Sequence, residues 1–148
     1  MEMNRVESKV ASDVDAFGWH VILVAASDRA PQFAYTIGLF HTYQHPAVVV
    51  IGLTDAKAHE VLNIISAAVK SGARYGAGDR VDGILVNYPS AFVVFPRSAY
   101  ADYLGVARRF YAGDEFTALQ FVWPDSSGRF PWEAGVAEGA RATQVVQS

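Results

Sequence analysis

Residues 47–53 read AVVVIGL, with no charged or polar side chain and four consecutive β-branched residues. Alternate side chains of a strand point to opposite faces of its sheet, and here both sets are apolar, so the run predicts a strand covered above and below. The next segment supplies one cover. Thr54 is placed to cap a helix, and in DAKAHEVLNIISAAVKSG the residues Ala58, Val61, Leu62, Ile65, Ala68 and Val69 form one apolar stripe that Gly72 ends. His59, Glu60, Asn63 and Lys70 fall on the opposite face.

Other elements follow from the same patterns. Val6, Val10, Val14 and Phe17 recur at helical spacing and Gly18 closes that helix. WHVILVAA (19–26) predicts a strand buried on both sides with His20 as its polar exception, and FAYTIGLF (33–40) a second strand. Downstream, the glycine-rich ARYGAGDRVDG predicts a turn, and ILVNY and AFVVFP predict extended runs separated at Pro89-Ser90. Ser98 would cap a helix through Tyr111 that buries Tyr100, Leu104, Ala107 and Tyr111, and FTALQFVW (116–123) would be the last strand. Short links between the first three strands favour antiparallel pairing over regular βαβ alternation. The expected fold class is α+β: one mixed, mainly antiparallel sheet, free to curl toward a barrel, flanked by two or three helices. Residues 1–132 would form a single domain, and 133–148 a small-residue tail, either mobile or packed on a neighbouring subunit.

Composition narrows the function classes. Charged residues are 18% of the chain against 51% hydrophobic, so a pocket or a subunit interface is expected to absorb part of the apolar excess, and a homo-oligomer is expected. Net charge is -3 and the basic residues are dispersed, Arg108-Arg109 being the one adjacent pair, which gives no electrostatic footprint for nucleic acid. The lack of cysteine excludes disulfides, thiolate catalysis and cysteine-ligated metal. The polar first residues carry no apolar signal core and no run nears the ~20 apolar residues of a membrane span. A soluble, cytoplasmic protein without a membrane partner is expected.

Two of the four histidines, His41 and His45, stand four apart in HTYQHP, the spacing at which a helix can grip a metal. Pro46 pushes His45 out of the helical region, and in an extended chain the pair would be ~13 Å apart. No metal site is therefore assigned, and a turn that delivers His45 to a pocket is expected. His20, inside an apolar strand, must find a partner for its imidazole; it is either a satisfied core histidine or a proton carrier tuned by burial. Tyr35 and Thr36 on the neighbouring strand are its candidate partners. No serine lies in a nucleophile elbow, and the glycine-rich loop lacks the G-K-[ST] ending of a phosphate-binding loop. Trp123, Phe130 and Trp132, interleaved with Asp125, Arg129 and Pro131, make the densest aromatic cluster, whose ordinary meaning is packing and whose alternative is a stacking surface for a planar ligand such as flavin. Gln120, polar on an apolar strand, points toward that alternative.

GWHV (18–21), FAYTIGLF followed by HP, VVVIGL, Leu62-Asn63 and LQFVWPDSSGRFPW, in that order from about Phe17 to Trp132, resemble a bacterial domain of unknown function family, family 4262. The resemblance implies a shared pattern that His20, Tyr35, His45 and the turn from Trp123 to Trp132 match, while His41 lies outside it. Members often carry an acidic residue after HP, where this chain has Ala47. The family supplies no reaction.

The function expected is a small-molecule binding or catalytic pocket where the ends of the first strands meet the aromatic turn. His20 or His45 would move a proton, Tyr35 would donate to developing negative charge, and Thr36, Gln120, Trp123, Asp125, Arg129 and Trp132 would line the ligand. The alternatives are a non-catalytic interaction or accessory subunit, and a flavin-binding barrel-like protein. No cofactor is favoured; flavin or a metal ion are the minor readings.

Overall fold

The structure, a computed structural model, describes residues 5–28, 30–139 and 144. Its elements in chain order are α1 (Arg5–Phe17), β1 (His20–Val24), β2 (Phe33–Ile37), α2 (Leu39–Tyr43), β3 (Ala47–Ile51), α3 (Asp55–Lys70), β4 (Arg80–Leu85) and β5 (Tyr88–Val94). A 3₁₀ turn (Arg97–Ala99), α4 (Tyr100–Tyr103), α5 (Gly105–Phe110) and β6 (Ala118–Val122) complete them. The six strands form one sheet in the order β1-β2-β3-β6-β5-β4, with β3 and β6 parallel and every other pair antiparallel. The class is α+β with a mixed, mainly antiparallel sheet. The sheet is open, its edges being β1 and β4, so the curl toward a barrel does not occur.

AVVVI lies near the centre of this sheet and is buried at all five positions. Val49 and Ile51 enter one core with Val10 and Val14 of α1, Tyr35, Tyr100, Leu104 and Phe116; Val48 and Val50 enter the other, under Ala58, Val61, Leu62, Ile65 and Val69 of α3. The double-sided apolar run thus reports a sheet with helices on both faces. Thr54 caps α3 by accepting from the Lys57 amide at 3.3 Å. No helix among the described residues is long and apolar enough to cross a membrane.

Several local expectations are corrected. β1 is an edge strand with half-buried residues and an exposed Leu23, because its apolar alternation feeds two cores at the sheet margin. β2 ends at Ile37, and Leu39 and Phe40, expected in the strand, begin the one-turn helix α2. HTYQHP is therefore partly helical: His41 is in α2, Gln44 ends it in the left-handed region (φ 55°), and His45 lies beyond. Pro89 and Ser90, expected to separate two runs, sit within β5, and the register with β4 shifts between Val81 and Leu85, where an irregularity accommodates a residue that has no amide to donate. The helix expected over 98–111 is broken at Leu104 (φ -111°, ψ 38°), whose fully buried side chain and the following Gly105 favour a break.

Two glycines fix where β1 begins. At Gly18 (φ +99°) a Cβ would run into the Tyr43 hydroxyl, and at Gly38 (φ +109°) it would lie 2.8 Å from both the Gly18 carbonyl oxygen and a Val14 methyl. The Thr42 hydroxyl donates to the Gly18 carbonyl at 2.8 Å, and the Gly38 amide to the Tyr111 hydroxyl at 3.0 Å. These contacts tie α1, α2 and α5 together just before His20.

Candidate functional site

His20 opens β1 opposite Ile37, so its side chain lies on the α1 face of the sheet. One turn of loop brings α1 back over it, and Asp13 of α1 meets it: Nδ1 of His20 is 2.6 Å from Oδ2 of Asp13. Lys9, one helical turn before Asp13, reaches its other oxygen at 3.0 Å. Partial burial pushes the Asp13 carboxyl up, but the hydrogen bonds from His20 and Lys9 and the nearby positive charge outweigh it and hold the carboxyl below its ordinary value. An ionised carboxylate only accepts, so Nδ1 carries a proton toward Asp13, and Nε2, which in the neutral ring is a lone pair, has no partner among the described residues.

The neighbouring residue builds the other wall. Trp19 points to the α3 face, where its indole N–H donates to Oδ1 of Asn63 at 3.0 Å. The amide nitrogen of Asn63 in turn reaches the His59 ring, 3.1 Å from Nδ1. Asp13, Trp19, His20, His59 and Asn63, with Lys9 and Lys70, line a cleft of about 560 Å³ around the edge strand. In the sequence His59 and Asn63 fall on the outer face of the helix, Asn63 also within the family-like pattern, and Asp13 carries no expectation; the signal for it is the i,i+4 pair Lys9/Asp13 shortly before the Gly18 helix cap.

The other expected site residues are placed elsewhere. His45 is 1% exposed and packs edge-on against Tyr75, on the α3 side of the sheet. Its Nδ1–H donates to the Pro46 carbonyl at 2.8 Å and its Nε2 accepts from the Tyr75 amide at 3.0 Å, so both ring nitrogens are engaged. Burial depresses its pKa, with help from Arg74 and against the Pro46 carbonyl. His45 and His20 do not meet. Tyr35 is in the α1-side core, its hydroxyl accepting from the Val106 amide at 3.3 Å at the start of α5, and burial raises its pKa. Thr36 is fully buried and accepts from the Val48 amide at 3.0 Å, bridging β2 to β3.

The aromatic turn occupies the opposite end of the sheet from His20, since Trp123 follows the end of β6 and donates from its indole to the Ile51 carbonyl at 2.9 Å. Asp125 organises that turn: Oδ1 accepts from the amides of Ser127 (2.9 Å) and Arg129 (3.0 Å) and Oδ2 from that of Ala137 (2.8 Å). Those backbone bonds hold its carboxyl below the ordinary range. Phe130 and Trp132 stack on each other, centroids 5.1 Å apart, and Arg80 covers the Phe130 ring at 4.8 Å. The first strands and this turn thus do not close on one pocket and the sheet does not curl; of the aromatic cluster Phe130 is fully buried, whereas Trp132 is 57% exposed and shares a shallow cleft with Gln120. Gln120 is bound to the tail instead: its amide donates to the Gln144 carbonyl, and the Gln144 side chain accepts from the Trp123 amide (2.8 Å) and donates to its carbonyl (2.7 Å). Gln144 therefore packs on its own domain, while 140–143 and 145–148 of the expected tail lie outside the described residues. His41 lies against Phe110, away from His45. Among the described residues no three His, Asp or Glu side chains come together as metal ligands.

A family model described as "Domain of unknown function (DUF4262)" matches residues 13–137. The chain belongs to this family. In this DUF4262 protein the match begins at Asp13 and takes in Trp19, His20, His59, Asn63 and Lys70, so most of the cleft lies within the family domain. No curated protein and no solved structure matches the chain.

Proposed function

We propose that the cleft at the β1 edge binds a small molecule and that His20 accepts a proton there. The observation that carries this reading is the 2.6 Å contact between Asp13 and Nδ1 of His20, which holds the Nδ1 proton against the carboxylate and, in the neutral ring, leaves Nε2 as the base. Such a carboxylate–imidazole pair can orient and stabilise an imidazolium as it forms, and the acceptor could take a proton from a ligand hydroxyl or from water. Of the residues expected from sequence, His20 stays in the proposed site; Tyr35, His45, Thr36 and Asp125 are assigned to packing and turn structure, where each has its own backbone partners.

The test is a fragment screen by NMR on the intact protein, read at the indole resonances of the three tryptophans. Ligands that shift Trp19 and bind at least tenfold more weakly to the His20→Gln and Asp13→Asn variants support the site. Ligands that cluster at Trp123 and Trp132, or that bind both variants unchanged, overturn it.

The interaction-subunit reading is favoured by one observation: Val6 and Phe17 of α1 are 51% and 61% exposed although both belong to the apolar pattern of that helix. Sedimentation that shows a concentration-dependent dimer weakened by Phe17→Ser would support it, and a monomer at high concentration would count against it.

A further inference from the structure

We propose that two copies of this chain join edge to edge, β1 pairing antiparallel with β1 of the second copy about a two-fold axis at Ile22, so that the two sheets become one. The proposal rests on the interaction reading and gives it a partner, a register and the residues that carry it.

The two edges of the sheet are not alike. β4 carries the exposed charges Arg80 and Asp82, Gly83 in the left-handed region (φ +94°) and the register shift against β5. Charges and irregular backbone on an edge strand hinder another strand from adding to it. β1 reads HVILV, pairs with β2 in unbroken register over all five residues, and contains no Lys, Arg, Asp, Glu, Pro or Gly. It has none of those obstacles.

The ladder decides which main-chain groups β1 leaves open. The Gly52 amide donates to the Gln32 carbonyl at 2.8 Å, so Gln32 turns its backbone toward β3. Successive residues of a strand bond to opposite neighbours, so Phe33, Tyr35 and Ile37 turn theirs toward β1 and are met there by Val24, Ile22 and His20. Val21 and Leu23 therefore present N–H and C=O outward, with no partner among the described residues. These two residues are complementary to themselves. With Ile22 on the axis, Val21 of each copy stands opposite Leu23 of the other, each pair exchanging both of its main-chain hydrogen bonds while the whole strand overlaps.

Side chains agree with the backbone. Leu23 shares a face with Val21, which packs toward α3, yet it is 42% exposed; in this register it lies beside Val21 of the second copy. Val6 and Phe17 stand seven residues before and four after Asp13, close to whole helical turns, so these exposed apolar side chains share the α1 flank that holds Asp13 over His20. Exposed apolar groups on both faces thus gather at the edge whose backbone is open. Because the pairing is isologous and β4 is obstructed, it closes at a dimer. Val24 of the second copy then stands opposite His20, on the open side of the cleft.

Sedimentation equilibrium of the full chain over a concentration series, with amide hydrogen exchange at low and high concentration, tests the pairing. The expected result is a monomer–dimer equilibrium in which the Val21 and Leu23 amides gain at least tenfold protection as dimer forms. Ile22 and Val24, already bonded to β2, should change little. Leu23→Pro removes an outward N–H and keeps the ladder to β2, a position where an edge strand tolerates proline, and it should weaken the dimer at least tenfold, as should Leu23→Lys. A dimer weakened by Phe17→Ser but by neither Leu23 substitution, or one that leaves Val21 and Leu23 unprotected, would overturn the strand pairing and leave the interaction reading standing. A chain that stays monomeric at the highest concentration would overturn it too. The exchange measurement on the unmodified chain decides the matter even where a variant fails to fold.

Discussion

The Asp13 carboxylate meets the His20 imidazole at 2.6 Å across the two-residue turn that joins α1 to β1. The pair is local in sequence yet needs the helix and the strand to dock before it forms. Because the folded-state pKa of Asp13 lies below its unfolded value of 3.8, its contribution to stability is present above that pH and is lost as pH falls through the folded value. Asp13→Asn should remove this acid-dependent part of the unfolding curve and shift His20 toward a mixture of tautomers. Acid titration of stability by circular dichroism, together with ¹⁵N histidine spectra, checks both.

His45 carries the opposite message about histidine. Burial lowers its folded pKa below 6.5, so between 6.5 and that lower value the unfolded chain binds a proton that the native protein does not. Stability from this residue is complete above pH 6.5 and declines as pH falls below it. His45→Ala should cost about 3 kcal/mol, from the unpaired Tyr75 amide and the space left behind, and should flatten the pH dependence below 6.5. Urea unfolding at several pH values would show it; a loss under 1 kcal/mol with an unchanged profile would contradict the assignment.

Tyr35 is a test of position rather than chemistry. Replacing it with Phe removes the acceptor for the Val106 amide but keeps the ring in the α1-side core, so a loss of about 1–2 kcal/mol is expected. Ligand affinity at the β1 cleft should stay within twofold of wild type. A tenfold loss of affinity with little loss of stability would return Tyr35 to the site.

Gly38→Ala should be more damaging than its size suggests. The new methyl would stand 2.8 Å from backbone and from Val14, at a backbone angle that side chains rarely adopt, for a cost of roughly 3 kcal/mol. Since Gly38 packs on Gly18, the start of β1 should move with it. Thermal unfolding and the Trp19 indole shift report the two effects.

Gln144→Ala should loosen the aromatic turn. It removes both hydrogen bonds to the Trp123 backbone, which follows β6 directly. The Trp123 and Trp132 resonances should shift and amide exchange at Trp123 should speed up at least tenfold, while Trp19 and His20 at the other end of the sheet stay unchanged. Unaltered exchange at Trp123 would refute the anchoring role.

By itself the sequence determined what periodicity can determine. AVVVI had to be a covered strand, the stripe from Ala58 to Val69 had to be a helix upon it, and WPDSSGRFPW had to be a turn, since each is decided by side chains within a few residues of one another. It also singled out His20, because a lone polar residue in an apolar strand is visible without a structure. Tertiary structure decided the partners. Whether His45 was a reactive group or a sealed one depended on the Tyr75 amide, thirty positions away, and whether Asn63 was an idle surface residue or the acceptor for an indole N–H depended on Trp19, forty-four positions away. Hydrogen bonds act over ~3 Å of space at any separation along the chain, so the residues that set a histidine's proton come together only when the sheet order, with β3 parallel to β6 and β1 left at the edge, is in place.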